Sequence, residues 1–110
     1  MDNGRDAGLM ARSTESMPDL ETRRFVISGR VQGVGFRWFV EREAAQLGVS
    51  GWVRNCEDGD VEVMATGSPD QLRSLRAKLQ QGPRAARVDH VSDSRAPLLE
   101  TSSFQIKGAF

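Results

Sequence analysis

The 110 residues contain no tyrosine, one cysteine, one histidine and no excess of either charge. Each shortage removes a class of function. A single thiol, Cys56, cannot form an intramolecular disulfide, and it leaves a four-ligand zinc site without its usual donors. A single imidazole, His90, has no pattern around it from which a catalytic triad could be built. Lysine plus arginine number 15 and aspartate plus glutamate 15. This balance argues against holding nucleic acid by bulk charge. No apolar run approaches membrane-spanning length, and the first residues lack the charged-then-apolar pattern of a secretion signal. The expectation is one reduced, cytoplasmic domain, long enough to bury a core without disulfides, metal or another cofactor.

What the chain does have is a stretch of unusual composition, Gly29-Arg30-Val31-Gln32-Gly33-Val34-Gly35-Phe36-Arg37. It follows an apolar, β-branched run, Phe25-Val26-Ile27, and it opens a segment of helical periodicity. The pattern predicts a strand, a glycine-rich loop and a helix with an arginine in its first turn. Such a loop gathers backbone N–H groups into an electropositive concavity, and the helix N-terminus adds partial positive charge on the same side. Arg37 adds a fork of donors that fits two oxygens of one phosphate. The segment Val31, Gln32, Gly33, Val34, Gly35 and Phe36, with Arg37, therefore reads as a phosphate cradle.

Residues 1–20 mix Asp, Asn, Gly, Ser, Thr and Met without a period and are expected to form a flexible tail, leaving 21–110 as the domain. A first strand is expected over Arg23–Gly29. A first helix follows over Arg37–Leu47, with Phe36, Phe39, Val40, Ala44 and Leu47 on its buried stripe and Gly48 as its stop. A second strand spans Ser50–Cys56, Asp58-Gly59 makes a hairpin turn, and Val61, Val63 and Ala65 alternate along a third strand. Ser68-Pro69-Asp70-Gln71 has the form of a capping box with proline at the first helical position. Leu72, Leu75 and Leu79 then mark a second helix, ended by Gly82-Pro83. A fourth strand is expected over Arg87–Ser92, a loop over Asp93–Ser103, and a short last strand at Phe104–Ile106.

The order β-α-β-β-α-β plus a short terminal strand predicts an α+β, ferredoxin-like split β-α-β sandwich, with two helices on one face of an antiparallel sheet. A right-handed crossover makes the first and second strands parallel, and the third lies between them. Their C-terminal ends then share one edge of the sheet. That edge carries the cradle, the start of the first helix with Arg37, and Asn55 near the end of the second strand.

These residues carry a family resemblance. Gly29 to Arg37, Gly-Val-Ser-Gly-Trp-Val-Arg-Asn at Gly48 to Asn55, Asp58-Gly59-Asp60-Val61-Glu62 and Gly82-Pro83 together resemble acylphosphatase. The likeness extends over about residues 22–107, and it rests on Gly-Val-Gly-Phe-Arg joined to Gly-Trp-Val-Arg-Asn at this separation. It implies metal-free hydrolysis of small acyl phosphates to a carboxylate and inorganic phosphate. Because the carboxylate leaves without a proton, direct water attack without a phosphoenzyme is expected, in a monomer inhibited by the inorganic phosphate it releases. By position, Arg37 matches the family's phosphate-binding arginine, Asn55 its water-positioning asparagine, and Val31 to Phe36 its backbone cradle. The N-terminal extension and the ending Lys107-Gly108-Ala109-Phe110 depart from the pattern, which leaves open whether a terminal carboxylate orients Arg37.

Each signal also has a plainer reading. The glycine loop alone could be a turn that binds nothing, and Asn55 could satisfy its own hairpin backbone. Arg37 could be solvated, although a cation in a helix's first turn is unfavourable. Cys56 reads as a small hydrophobe, His90 as a structural or exposed residue away from the active edge, and Trp38 and Trp52 as packing or rim residues. Arg73, Arg76 and Lys78 read as a solvated face. The competing function is a non-catalytic ligand- or RNA-binding module of the same architecture. RNA binding would need aromatics on the exposed strand faces, which the first and third strands do not offer. A third resemblance, to the segment that begins hydrogenase-maturation carbamoyltransferases, lacks the zinc-finger-like and catalytic portions that normally follow it.

Overall fold

The computed structural model describes residues 19–108; most of the stretch expected as a tail lies outside them. The described residues form β1 (Glu21–Arg30), α1 (Phe36–Leu47), β2 (Ser50–Asn55), β3 (Val61–Gly67), α2 (Pro69–Gln81), β4 (Arg87–Ala96) and β5 (Phe104–Ile106). The sheet order is β4-β1-β3-β2-β5. β3 pairs antiparallel with both β1 and β2, so β1 and β2 run parallel, as the crossover requires. The α+β ferredoxin-like architecture is the one expected.

Period-two alternation divides the sheet into two faces. Phe25, Ile27, Val53, Val61, Val63 and Ala65 face the helices and are buried. From α1 they meet Phe36, Phe39, Val40 and Ala44, and from α2 Leu72, Leu75 and Leu79. Leu47 packs at the margin of this core. α2 begins with the full capping box: the Gln71 N–H donates to Ser68 Oγ (3.2 Å), and the Ser68 N–H donates to Gln71 Oε1 (2.8 Å). The Gln71 amide also donates to the Leu47 carbonyl (3.0 Å), which ties the start of α2 to the end of α1. On α2, Arg73 pairs with Asp70. Arg76 lies 3.6 Å from Asp93 and Lys78 3.9 Å from Glu43. The expected solvated face is therefore partly ion-paired. None of the helices among the described residues is long and apolar enough to cross a membrane.

Two features depart from expectation. β4 continues to Ala96, through Asp93 to Ala96 where a loop was expected, because it pairs with β1 along its full length. It is an edge strand with many exposed residues, so Ser92-Asp93-Ser94-Arg95 carries no apolar alternation to reveal it. β5 pairs in parallel with β2, which makes an otherwise antiparallel sheet mixed. The chain arranges this with a strap from the end of β4, across the open face of the sheet, to the start of β5. Two buried threonines anchor the strap. The Leu99 N–H donates to Thr22 Oγ1 (2.9 Å), and Thr66 Oγ1 donates to the Leu99 carbonyl (2.8 Å). With the Thr66 proton so used, Thr22 supplies the one that joins the two hydroxyls at 2.7 Å. Buried hydroxyls without such partners would be costly.

The same open face carries a buried carboxylate. Glu62 on β3 is 5% exposed. It accepts from Arg24 Nε of β1 at 2.5 Å and from Arg54 Nε of β2 at 2.6 Å. Burial works to raise its pKa, but the hydrogen bonds from Arg24 and Arg54 outweigh burial and hold the carboxyl below the usual range. Glu62→Gln is expected to cost about 1–3 kcal/mol at neutral pH. Because the folded pKa is depressed, the stabilisation is full above the unfolded glutamate value of about 4.3 and disappears as pH falls through the folded value. Denaturant midpoints measured from pH 7 down to pH 2 should therefore show a shallower acid decline for Glu62→Gln than for the parent. Parallel declines would remove Glu62 from the acid transition.

Candidate active site

The loop after β1 is held at both ends by its apolar residues. Val31 and Phe36 are buried, and Val34 packs at the core margin. Between them Gly33 and Gly35 are exposed, with φ of 76° and 79°. Residues with a Cβ rarely adopt this left-handed conformation. It breaks the extended path of β1, the backbone setting in which successive N–H groups can form a concavity for an anion.

Gly35 is also the N-cap of α1. It offers no side chain to the helix, and no acidic residue stands in the first turn. The first helical backbone bond is from the Phe39 N–H to the Gly35 carbonyl, 3.1 Å. The N–H groups of Phe36, Arg37 and Trp38 precede it and have no acceptor within the helix. The contrast with α2 is informative. One helix carries a complete capping box, a proline at its start and Asp70 in its first turn, whereas the other begins with bare donors and the cation Arg37.

Arg37 Nη1 donates to the Lys107 carbonyl just beyond β5, 3.1 Å away. The Lys107 N–H in turn donates to the Val53 carbonyl of β2, 2.8 Å away. Asn55 ends β2 two residues further on, opposite Val61. The guanidinium is thus fixed to the strand that leads to Asn55, through β5. Cradle, Arg37 and Asn55 lie at one edge of the sheet, as the topology predicts. The terminal carboxylate lies outside the described residues; within them, a backbone carbonyl orients Arg37.

The side chain of Gln32 does something that the sequence did not reveal. Its Nε2 donates to the Cys56 carbonyl at 2.8 Å and to the Asp60 carbonyl at 2.9 Å. Those residues are the base of the β2–β3 turn, where the Cys56 N–H also donates to the Asp60 carbonyl, 2.8 Å. The Gln32 carboxamide therefore staples the cradle to the turn that follows Asn55. Cys56 contributes backbone. Burial, then the negative charge of Glu62, pushes its thiol above the ordinary value, the opposite of what a nucleophile needs. His90 is exposed and opposite Ser28, so it stands at the cradle end of β4, not away from it as expected. The antiparallel pairing starts β4 where β1 ends. Trp38 is 71% exposed on α1. Among the described residues, no three His, Cys, Asp or Glu side chains gather as a metal-binding group.

Fold and edge geometry define a class: an α+β sandwich whose split β-α-β unit sets a glycine loop, the uncapped start of a helix bearing an arginine, and a strand-ending asparagine at one edge of the sheet. Comparison with known proteins makes the assignment specific. The sequence profile of the acylphosphatase family matches residues 23–106. An acylphosphatase of Koribacter versatilis (strain Ellin345) is 52% identical over 105 residues, 94% of this chain and 93% of its own length. Among solved structures, an acylphosphatase from Coxiella burnetii superposes with a TM-score of 0.78 at 35% identity, covering 81% of this chain and 94% of its own. The acylphosphatase of Bacillus subtilis gives 0.76 at 37%, covering 82% and 100%. The chain belongs to the acylphosphatase family and is a hydrolase of that class.

The Gln32 staple is testable without substrate. Gln32→Ala removes two hydrogen bonds, each worth about 1 kcal/mol net. Amide hydrogen exchange at Gly33, Val34 and Gly35 is then expected to accelerate about tenfold or more through easier local opening. Exchange in β3 should change little. Unchanged loop exchange would mean that the staple does not hold the cradle.

Proposed function

We propose that this enzyme hydrolyses small acyl phosphates by in-line attack of one water, with Arg37 and the Val31–Phe36 loop holding the phosphoryl group and Asn55 placing the water. One observation carries the assignment of roles. The uncapped start of α1, the glycine loop and a tethered cation converge at the strand end that bears Asn55. Val31, Gln32, Gly33, Val34, Gly35 and Phe36 supply backbone donors. The Arg37 guanidinium, with one N–H on the Lys107 carbonyl, has others left for phosphoryl oxygens.

The chemistry asks for little more. The leaving group is a carboxylate, whose conjugate acid has a pKa of roughly 4 to 5, so it departs without being protonated. Phosphoryl transfer depends mainly on positioning and charge stabilisation. Donors fixed around the equatorial oxygens stabilise charge in the transition state without reorganising. The Asn55 carboxamide oxygen accepts from the water and aims it opposite the leaving carboxylate. An amide is a poor base, but a loose transition state needs little base help. The water attacks phosphorus as the P–O bond to the acyl group breaks. Carboxylate and inorganic phosphate leave, and no phosphoenzyme forms. Inorganic phosphate fits the same donors and inhibits as product. The enzyme works as a cytoplasmic monomer, a setting that suits one unpaired thiol.

Arg37→Ala should lower kcat/KM for benzoyl phosphate by roughly 10³-fold and raise the inhibition constant of inorganic phosphate. Asn55→Ala should lower kcat by on the order of 10²-fold or more, with the phosphate inhibition constant within about twofold of the parent's. Steady-state kinetics with phosphate as inhibitor separates the two roles. If Asn55→Ala loses affinity and keeps kcat, the water-positioning role is wrong. A phosphoryl adduct trapped on the protein would overturn direct attack.

A further inference from the structure

The face of the sheet turned away from the helices carries a second concentration of charge. A groove of about 490 Å³ is lined there in part by Arg24, Trp52, Arg54, Glu62, Met64 and Lys107. Arg24 and Arg54 flank the carboxylate of Glu62, and Lys107 stands over Trp52, in a chain whose net charge is zero. Alternation puts this groove on the face away from the helices, whereas the glycine loop lies beyond the strand ends. Val53 is buried under the helices, whereas its neighbours Trp52 and Arg54 line the groove.

The groove is built, and not merely a solvated surface. Glu62 is sunk between Arg24 and Arg54 and takes one Nε from each. It thereby fixes two guanidiniums whose side chains remain 48% exposed. Their terminal amino groups are free of that carboxylate and can present forks of donors, a geometry suited to phosphate oxygens. Between the cations lies an aromatic surface. Lys107 Nζ stands 4.7 Å from the centroid of the Trp52 ring and the Arg54 guanidinium carbon 5.7 Å from it. Met64, opposite Trp52 on β3, extends the apolar floor. The strap, pinned at Leu99 to Thr22 and Thr66, crosses the face at one end. The groove is therefore closed on that side and suits a small ligand better than a polymer that must run through.

We infer that the open sheet face is a second binding site, distinct from the cradle, for a nucleoside polyphosphate. Its phosphates lie on Arg24 and Arg54, and its flat base lies against Trp52 and Met64, where Lys107 now stands. The inference does not depend on the hydrolytic assignment, and its test reads binding alone.

Isothermal titration calorimetry of the full chain with ATP in metal-free buffer is the direct experiment. The expected result is one ATP per chain, with adenosine alone and tripolyphosphate alone each at least tenfold weaker. Trp52→Leu and Arg24→Gln should each weaken ATP about tenfold or more, with folding checked by thermal melts. Met64→Ala, which leaves the Glu62 pairing untouched, should weaken it severalfold and keeps the test open if Arg24→Gln does not fold. Arg37→Ala should bind ATP as the parent does. Absence of binding at millimolar ATP would overturn the inference. So would affinity that survives both Trp52→Leu and Met64→Ala, affinity lost in Arg37→Ala, or tighter binding of an octathymidylate or a hexaglutamate peptide than of ATP.

Discussion

The pairing of β3 with a neighbour on each side is the constraint on which the site depends. Backbone hydrogen bonding to β1 and to β2 is antiparallel in both cases, so β1 and β2 must point the same way. Their C-terminal ends then share one edge. The loop leaving β1 and the carboxamide ending β2 are 19 to 24 residues apart in sequence, yet each reaches the edge without a long connection. The smaller ties build on this. Gln32 can reach the base of the β2–β3 turn only because the two strand ends are level. β5 can offer the Lys107 carbonyl to Arg37 only because it runs parallel to β2.

The two helices show how one protein can spend similar local chemistry in opposite ways. α2 satisfies its own N-terminus with Ser68, Gln71 and Asp70 and presents nothing to a ligand. α1 leaves its first donors bare and places a cation among them. Isolated, that start would be less stable than a capped one. It persists because Phe36, Phe39, Val40 and Ala44 are buried against the sheet, and packing outweighs capping. The anion that α1 lacks in its own sequence is then the one expected from outside. The sheet separates the protein's charge in a comparable way. Asn55 and Arg54 are adjacent in the chain, but the pleat sends them to opposite faces, one to the cradle edge and the other to the carboxylate of Glu62.

Elements with a repeating apolar pattern were readable to within a few residues. Leu72, Leu75 and Leu79 marked α2, and Val61, Val63 and Ala65 marked the core face of β3. The glycines and Arg37 were legible because left-handed turns and a cation in a helix's first turn are both locally unfavourable, so their presence asks for a reason. Elements that depend on partners were not readable. The second half of β4 is polar, and only its pairing with β1 makes it a strand. The threonines at 22 and 66 look like ordinary strand residues until the strap covers them. Nothing in the sequence assigned Gln32 its acceptors, because both are backbone carbonyls and carry no residue-type signal. Likewise His90 stands at the cradle end because β4 reverses direction against β1, a fact of pairing that its own sequence does not record.

By itself, then, the sequence determined which segments bury an apolar face, where the chain turns, and which residues could hold an anion. Those properties are written in hydrophobic period, glycine conformation and side-chain chemistry, all of them local. The tertiary structure alone decided the parallel pairing of β5, the path of the strap, the staple from Gln32 and the carbonyl that holds Arg37. These are contacts between backbone groups far apart in the chain, and every residue has the same backbone, so only the folded geometry chooses among them.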